Sequence, residues 1–229
     1  MVGASRRRTA AALWHAATAV VAVFAVAAQL YLVVADVNIG FDDQPEPLDR
    51  RLVEFFSYFT IQSNVLVGIA TGMLALNPGR DGALWRVARV ASMFGITVTI
   101  VIYHVVRSPL AAFDGLAAVS NVALHCVVPI LAIIGWLAFG PRDRIGCKTL
   151  LLSAIWPVAY LLYTLIHGAI TGFYPYPFVN VDRLGLGAVL LNSAGVTLLL
   201  VAVGGLYWML DRLLLRAVSR RAQTRALGR

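Results

Sequence analysis

"FFSYFTIQSNVLVGIATGML", residues 55–74, decides how the chain is read. The stretch is greasy enough to enter a bilayer, and its flanks are apolar. Yet Ser57, Tyr58, Thr60, Gln62, Ser63 and Asn64 crowd within eight positions. A polar side chain left facing hydrocarbon without a partner costs several kcal/mol. Such a dense group must therefore face neighbouring helices or an internal cavity.

Working outward, the whole chain has the same character. Of its 229 residues, 60% are hydrophobic and 13% are charged, against about a quarter charged in globular domains. Apolar runs follow one another, each long enough to cross a hydrocarbon layer of about 30 Å. Charges, glycines and prolines bound six of them, at roughly 11–35, 52–76, 85–106, 116–139, 148–169 and 184–210. The expected fold is all-α: one integral membrane domain, a single bundle of six transmembrane helices. Residues 211–229 form a basic tail with amphipathic spacing, suited to lying along the inner leaflet. The longest connection, Asp36 to Arg51, contains Pro45 and Pro47 and leaves no room for a soluble domain.

Charge sets the expected orientation. With the N-terminus inside, fifteen of the 19 lysines and arginines lie on the inner side. Only Arg50, Arg51, Arg107 and Arg183 lie outside, where Asp36, Asp42, Asp43, Glu46 and Asp49 crowd the first loop. Both termini are thus expected in the cytoplasm of a multi-pass cell-membrane protein. The net charge of +8 sits between apolar runs and in the tail, beside anionic headgroups. That distribution argues for a bilayer partner and against nucleic acid. The abundance of Ala, and of Arg over a lone Lys148, suggests a high-GC bacterial genome. The N-terminal arginines, apolar run and "AVA" at 25–27 imitate a signal peptide. The run continues to about Ala35, so the first helix is expected to be retained. Cys126 and Cys147 have neither disulfide nor metal-site placement.

Helical rise of about 1.5 Å per residue places several polar residues at one depth, in the outer half. Thr60, His125, Asn192, Thr97 and Tyr160 each come out some eight or nine residues below the outer surface. His104 and His167 sit near the outer ends of their spans, where belt or capping roles are common. Ser57, Thr60, Asn64, Gly68 and Thr71 read as one stripe on the second span, and Asn121, His125 and Pro129 as one on the fourth. An imidazole near mid-membrane needs a partner and is a functional candidate. Pro129 lacks the N–H that would bond the carbonyl of residue 125, so a local kink is expected there.

These residue types permit one chemistry in particular. A hydroxyl becomes nucleophilic when a base takes its proton, and neutral histidine can do so. Thr60 and His125 would be nucleophile and base. Asn64 and Gln62 could supply amide N–H groups to an oxyanion, or Asn121 could orient the imidazole. Tyr160, His104, His167 and Asn192 complete the expected pocket. No metal or cofactor is required. The residues alone leave other arrangements open: a non-catalytic lipid-binding or transport pocket, a metal or haem site using His104, His125 and His167, or a purely structural bundle.

"YFTIQSNVL" (58–66) and "NVALHCVVPI" (121–130) resemble the two signature regions of the androgen-induced-gene, or androgen-dependent TFPI-regulating protein, family and its bacterial relatives. "GFYPYPFVNV" (172–181) is similar to that family's aromatic-proline outer loop. The resemblance implies six helices, and a threonine nucleophile and histidine partner at Thr60 and His125. It implies hydrolysis of lipid esters, which in the animal members are fatty acid esters of hydroxy fatty acids. The substrate partner would then be a lipid or fatty-acyl ester. Ile61, Gln62 and Ser63 depart from the aromatic or Asn-containing run usual after the animal threonine.

Overall fold

The computed structural model describes residues 2–37, 46–106, 113–140 and 144–227, without side chains at 2–4, 218 and 220–227. Asp42, Asp43, Pro45, Arg107, Arg142 and Arg229, used above in placing charge and loops, lie outside that description, as do the side chains of Arg220, Arg221 and Arg225. Helix is the only extended secondary structure among the described residues. Six helices are long and apolar enough to cross a membrane: Ser5–Val34, Phe59–Leu76, Ala83–Val106, Gly115–Phe139, Cys147–Thr171 and Leu186–Ala217.

In chain order the elements are α1 (Val2–Val34), α2 (Leu48–Ser57), α3 (Phe59–Leu76), α4 (Ala83–Val106), α5 (Gly115–Val122), a π-helical turn (Ala123–Val127), α6 (Val128–Phe139) and α7 (Cys147–Thr171). A 3₁₀ turn (Pro177–Val179), α8 (Val181–Leu184) and α9 (Leu186–Leu227) follow. α5, the π turn and α6 together form one membrane-length segment.

α1 and α3 make the most extensive helix pair. Small residues allow this close approach: a Cβ at Gly68 would stand 3.6 Å from that of Ala22, an ordinary contact. Ala22, Ala25, Val67, Ile96 and Val128 are almost fully buried at the bundle centre. α7 and α9 sit at the periphery and touch each other sparsely.

Three features of the helices differ from the sequence reading. The second span does not run unbroken from residue 52. Tyr58 is extended (φ −74°, ψ 125°), which separates the short α2 from α3. Ser57 therefore does not share a helical face with Thr60, and the stripe begins at Thr60. The break is held by distant groups: Tyr160 Oη donates to the Ser57 carbonyl at 2.9 Å, and the Ser57 hydroxyl, which donates to Val53 O at 2.7 Å, lies 2.6 Å from Tyr163 Oη.

The last span starts at 186 rather than 184, because Gly185 takes φ +76° between α8 and α9. α9 then runs as continuous backbone helix to Leu227, through the expected tail. On the fourth span, where a kink is expected from Pro129, the helix takes a π turn at 123–127.

Candidate functional site

The break at Tyr58 makes Thr60 a first-turn residue of α3. The first helical bond there runs from Gln62 N to Tyr58 O at 3.2 Å, so the Thr60 N–H has no partner within the helix. It donates instead to Tyr176 Oη, 3.1 Å away on the loop after α7. The same phenol lies 3.3 Å from Thr60 Oγ1. Thr60 is 7% exposed.

Opposite stands His125, on the π turn. Its Nε2 lies 3.4 Å from Thr60 Oγ1. Its Nδ1 lies 2.9 Å from the carbonyl oxygen of Asn121. A carbonyl only accepts, so Nδ1 carries the proton and Nε2 turns its lone pair toward the threonine. The Tyr103 ring stacks on the imidazole at 4.3 Å between centroids, and the Asn121 amide donates to Tyr103 Oη at 2.9 Å. Asn121 thus holds the ring twice, through its backbone carbonyl and through Tyr103. A separation of 3.4 Å is long for a hydrogen bond.

The two amides expected to serve an oxyanion are occupied elsewhere. Asn64 Nδ2 donates to the carbonyls of Thr60 at 2.8 Å and Leu124 at 3.2 Å. It thereby pins α3 to the π turn, whose altered bonding leaves that second carbonyl accessible. Gln62 Nε2 donates to Phe56 O at 3.0 Å, while its Oε1 accepts from Trp156 Nε1 at 3.3 Å.

Of the other expected pocket residues, Tyr160 and His104 line the cavity that contains Thr60 and His125. His104 has its Nδ1 2.8 Å from Ile100 O on its own helix. His167 stacks on Tyr163 at 5.3 Å. Asn192 Nδ2 donates to Phe178 O at 2.8 Å and so anchors the loop rather than meeting Thr60. Thr97 pairs with Tyr207 Oη at 2.8 Å, away from the dyad. Among the described residues, no three His, Cys, Asp or Glu side chains gather as a metal site would require.

Tyr176, absent from the sequence-derived candidates, is the central addition. The loop that carries it is fixed by aromatic packing. Tyr176 meets Tyr58 edge-on at 5.7 Å and stacks on Phe178 at 5.4 Å. Tyr174 packs against Gly168 of α7, where a Cβ would overlap its ring. Burial pushes the Tyr176 phenol above its ordinary value, outweighing the opposing hydrogen bond from Thr60. At neutral pH it is therefore a protonated donor. The sequence signal was the Tyr-Pro-Tyr-Pro pattern at 174–177, in which two prolines of fixed φ alternate with two aromatic rings.

The cavity around these groups measures about 1400 Å³, above the roughly 300–1,000 Å³ of a drug-sized site. At its α2 end the cavity carries Arg50 paired with Glu46 at 2.7 Å and Glu54 at 3.2 Å, and Arg51 paired with Asp36 at 2.7 Å. Burial, followed by Glu46, raises the Glu54 carboxyl from its ordinary range, while Arg50 opposes the shift.

The chain matches no protein-family model, no curated protein and no solved structure.

Proposed function

We propose that this protein is an intramembrane hydrolase of lipid esters acting through a Thr60–His125 dyad. One observation carries the reading: an oriented imidazole nitrogen and a threonine hydroxyl 3.4 Å apart, at the polar part of a large, mainly apolar cavity. Thr60 Oγ1 attacks the ester carbonyl carbon while its proton passes to His125 Nε2. The carbonyl oxygen becomes an oxyanion, held by the Tyr176 hydroxyl. Accepting the Thr60 N–H through a lone pair leaves the Tyr176 O–H to donate and polarises the phenol. The positive end of α3 adds to this stabilisation. The tetrahedral adduct collapses, the C–O bond to the alcohol breaks, and His125 returns the proton to the leaving oxygen. Water then attacks the acyl-threonine with His125 as base, releasing the fatty acid and restoring Thr60.

The resemblance to the androgen-induced-gene family belongs to the same proposal and points to fatty acid esters of hydroxy fatty acids as substrates. So does the orientation: both termini in the cytoplasm of a cell membrane, with the site in the outer half, as the arginine distribution favours.

The test uses purified, folded protein and long-chain acyl esters. Thr60→Ala and His125→Ala should each lower kcat at least a hundredfold, and Thr60→Ser should retain activity within about tenfold of wild type. Undiminished turnover in both alanine variants excludes the dyad. Tight lipid binding with no hydrolysis by wild type favours a non-catalytic lipid-binding or transport protein.

A further inference from the structure

The cavity does not end at the dyad. It continues past Phe94 of α4, along Leu150, Leu151 and Ala154 of α7, and along Val201, Gly204 and Gly205 of α9. Little polar chemistry remains on this extension. The Ser193 hydroxyl donates to Val189 O, and that of Thr197 to Ser193 O, both at 2.8 Å within α9. Those residues therefore turn mainly carbon toward the groove.

The groove is open on one side. Leu151 and Val201 both line it, yet each is 67% exposed on the outer surface of the bundle. α7 and α9 touch only sparsely, which leaves the groove uncovered between them. The two glycines at the far end differ. A Cβ on Gly204 would stand 3.2 Å from Phe94 Cζ, closing the space, whereas one on Gly205 would meet nothing within 4 Å.

We propose that this extension binds a single long acyl chain of the ester whose carbonyl meets Thr60, and that the chain enters sideways from the bilayer between α7 and α9. This rests on the hydrolase reading for the carbonyl's position, and on the groove's own chemistry for the chain. Twelve residues of α9 separate Ser193, near the dyad's level, from Gly205. At a rise of about 1.5 Å each they span about 18 Å. C–C bonds of about 1.5 Å advance an extended hydrocarbon by roughly 1.25 Å per carbon. The groove therefore takes about fourteen carbons between Ser193 and Gly205. Lateral entry lets the chain move from bilayer to groove without crossing water, so apolar surface remains covered throughout.

Two measurements on the full chain in nanodiscs test this. The first is independent of catalysis. A sixteen-carbon fatty acid bearing a diazirine near its methyl end is photolysed, and the labelled residues are mapped by mass spectrometry. Label should concentrate at residues 147–154 and 200–205, be displaced by excess unlabelled fatty acid, and fall at least fivefold in Gly205→Phe. Val201→Trp serves as a second blocking variant should Gly205→Phe not fold.

The second measurement is turnover of acyl esters from four to eighteen carbons. The ratio of sixteen-carbon to six-carbon kcat/KM should fall at least tenfold in the blocking variant. Label spread evenly over lipid-facing residues such as Val20 and Val23 of α1, or an unchanged chain-length ratio in an active blocking variant, overturns the groove. If the wild type hydrolyses no ester yet the label maps to the groove, the acyl site stands and the hydrolase reading falls.

Discussion

Replacing Tyr176 with phenylalanine isolates one oxygen atom. The ring should stay where it is, because its contacts with Tyr58 and Phe178 are made by carbon faces and edges. Two interactions disappear: the bond accepted from Thr60 N–H at 3.1 Å and the contact with Thr60 Oγ1 at 3.3 Å. The structural cost is an N–H at the start of α3 left without its partner, about 1–3 kcal/mol if water cannot reach it. At roughly 2–4 °C per kcal/mol for a chain of this size, Tm should drop by about 2–12 °C. The catalytic cost is larger. Loss of one preorganised oxyanion donor lowers kcat about 10²–10³-fold, or about 2.7–4 kcal/mol of transition-state stabilisation. The donor acts on charge that exists only in the transition state, so KM should change little. The assay is steady-state kinetics on a long-chain ester, well below the variant's Tm, with melting followed in parallel. A kcat within threefold of wild type, in a variant that melts several degrees lower, would make Tyr176 a brace for the helix end and no part of the oxyanion site.

Two further outcomes follow from the packing and the surface charge. Gly168→Ala places a Cβ in the ring of buried Tyr174; overpacking of this kind costs about 1–3 kcal/mol, and the displaced loop should take Tyr176 with it, lowering both Tm and kcat, the latter about tenfold. Unaltered kinetics in that variant would show that the loop does not need its seat on α7. Asp81 accepts two hydrogen bonds from Arg86, each 2.7 Å, which, followed by a bond from the Gly82 backbone, hold its carboxyl far below its ordinary value of 3.8. A depressed folded-state value means that the ionised carboxylate stabilises the fold above the ordinary value, and that this contribution fades as pH falls below it. Wild-type melting temperature should therefore exceed that of Asp81→Asn at neutral pH and converge on it in strong acid; a constant gap from neutral pH to pH 2 would contradict the assignment.

Length and hydropathy made the six membrane-length helices legible, because a bilayer tolerates few alternatives to an apolar helix of about twenty residues. Counting residues along helices put Thr60 and His125 at one depth. It did not show which way Gln62 and Asn64 faced. Their partners are a backbone carbonyl on α2, an indole on α7 and a carbonyl on the π turn, and none of these is visible in the local pattern. The break at Tyr58 was hidden for a similar reason. Nothing in "FFSYFT" forbids a continuous helix; the Ser57 carbonyl is released because Tyr160, 103 residues further on, supplies a hydrogen bond in its place. Tyr176 was missed because a loop residue has no periodicity to report its direction. Its placement depends on Gly168 and Asn192, which belong to two other elements.

The two departures from regular helix lie against each other, and this bears on whether the polar cluster merely joins helices. Within a membrane, irregular backbone is tolerated where protein buries it or where it lines a cavity, since hydrocarbon offers no hydrogen bonds. A bundle that needed only adhesion could satisfy Thr60 and Asn64 across two unbroken helices, each bond worth about 0.6 kcal/mol. Here the helix is broken at Tyr58, two residues before Thr60, and the opposite segment widens into a π turn at His125. The first change frees a backbone N–H beside the hydroxyl. The second presents a histidine whose tautomer is set by its own helix, and one amide, Asn64, ties the two together. Adhesion accounts for Asn64. It does not by itself call for a phenol brought in from a loop to a freed N–H next to a threonine that faces an imidazole nitrogen, and that is the arrangement on which the proposed ester cleavage rests.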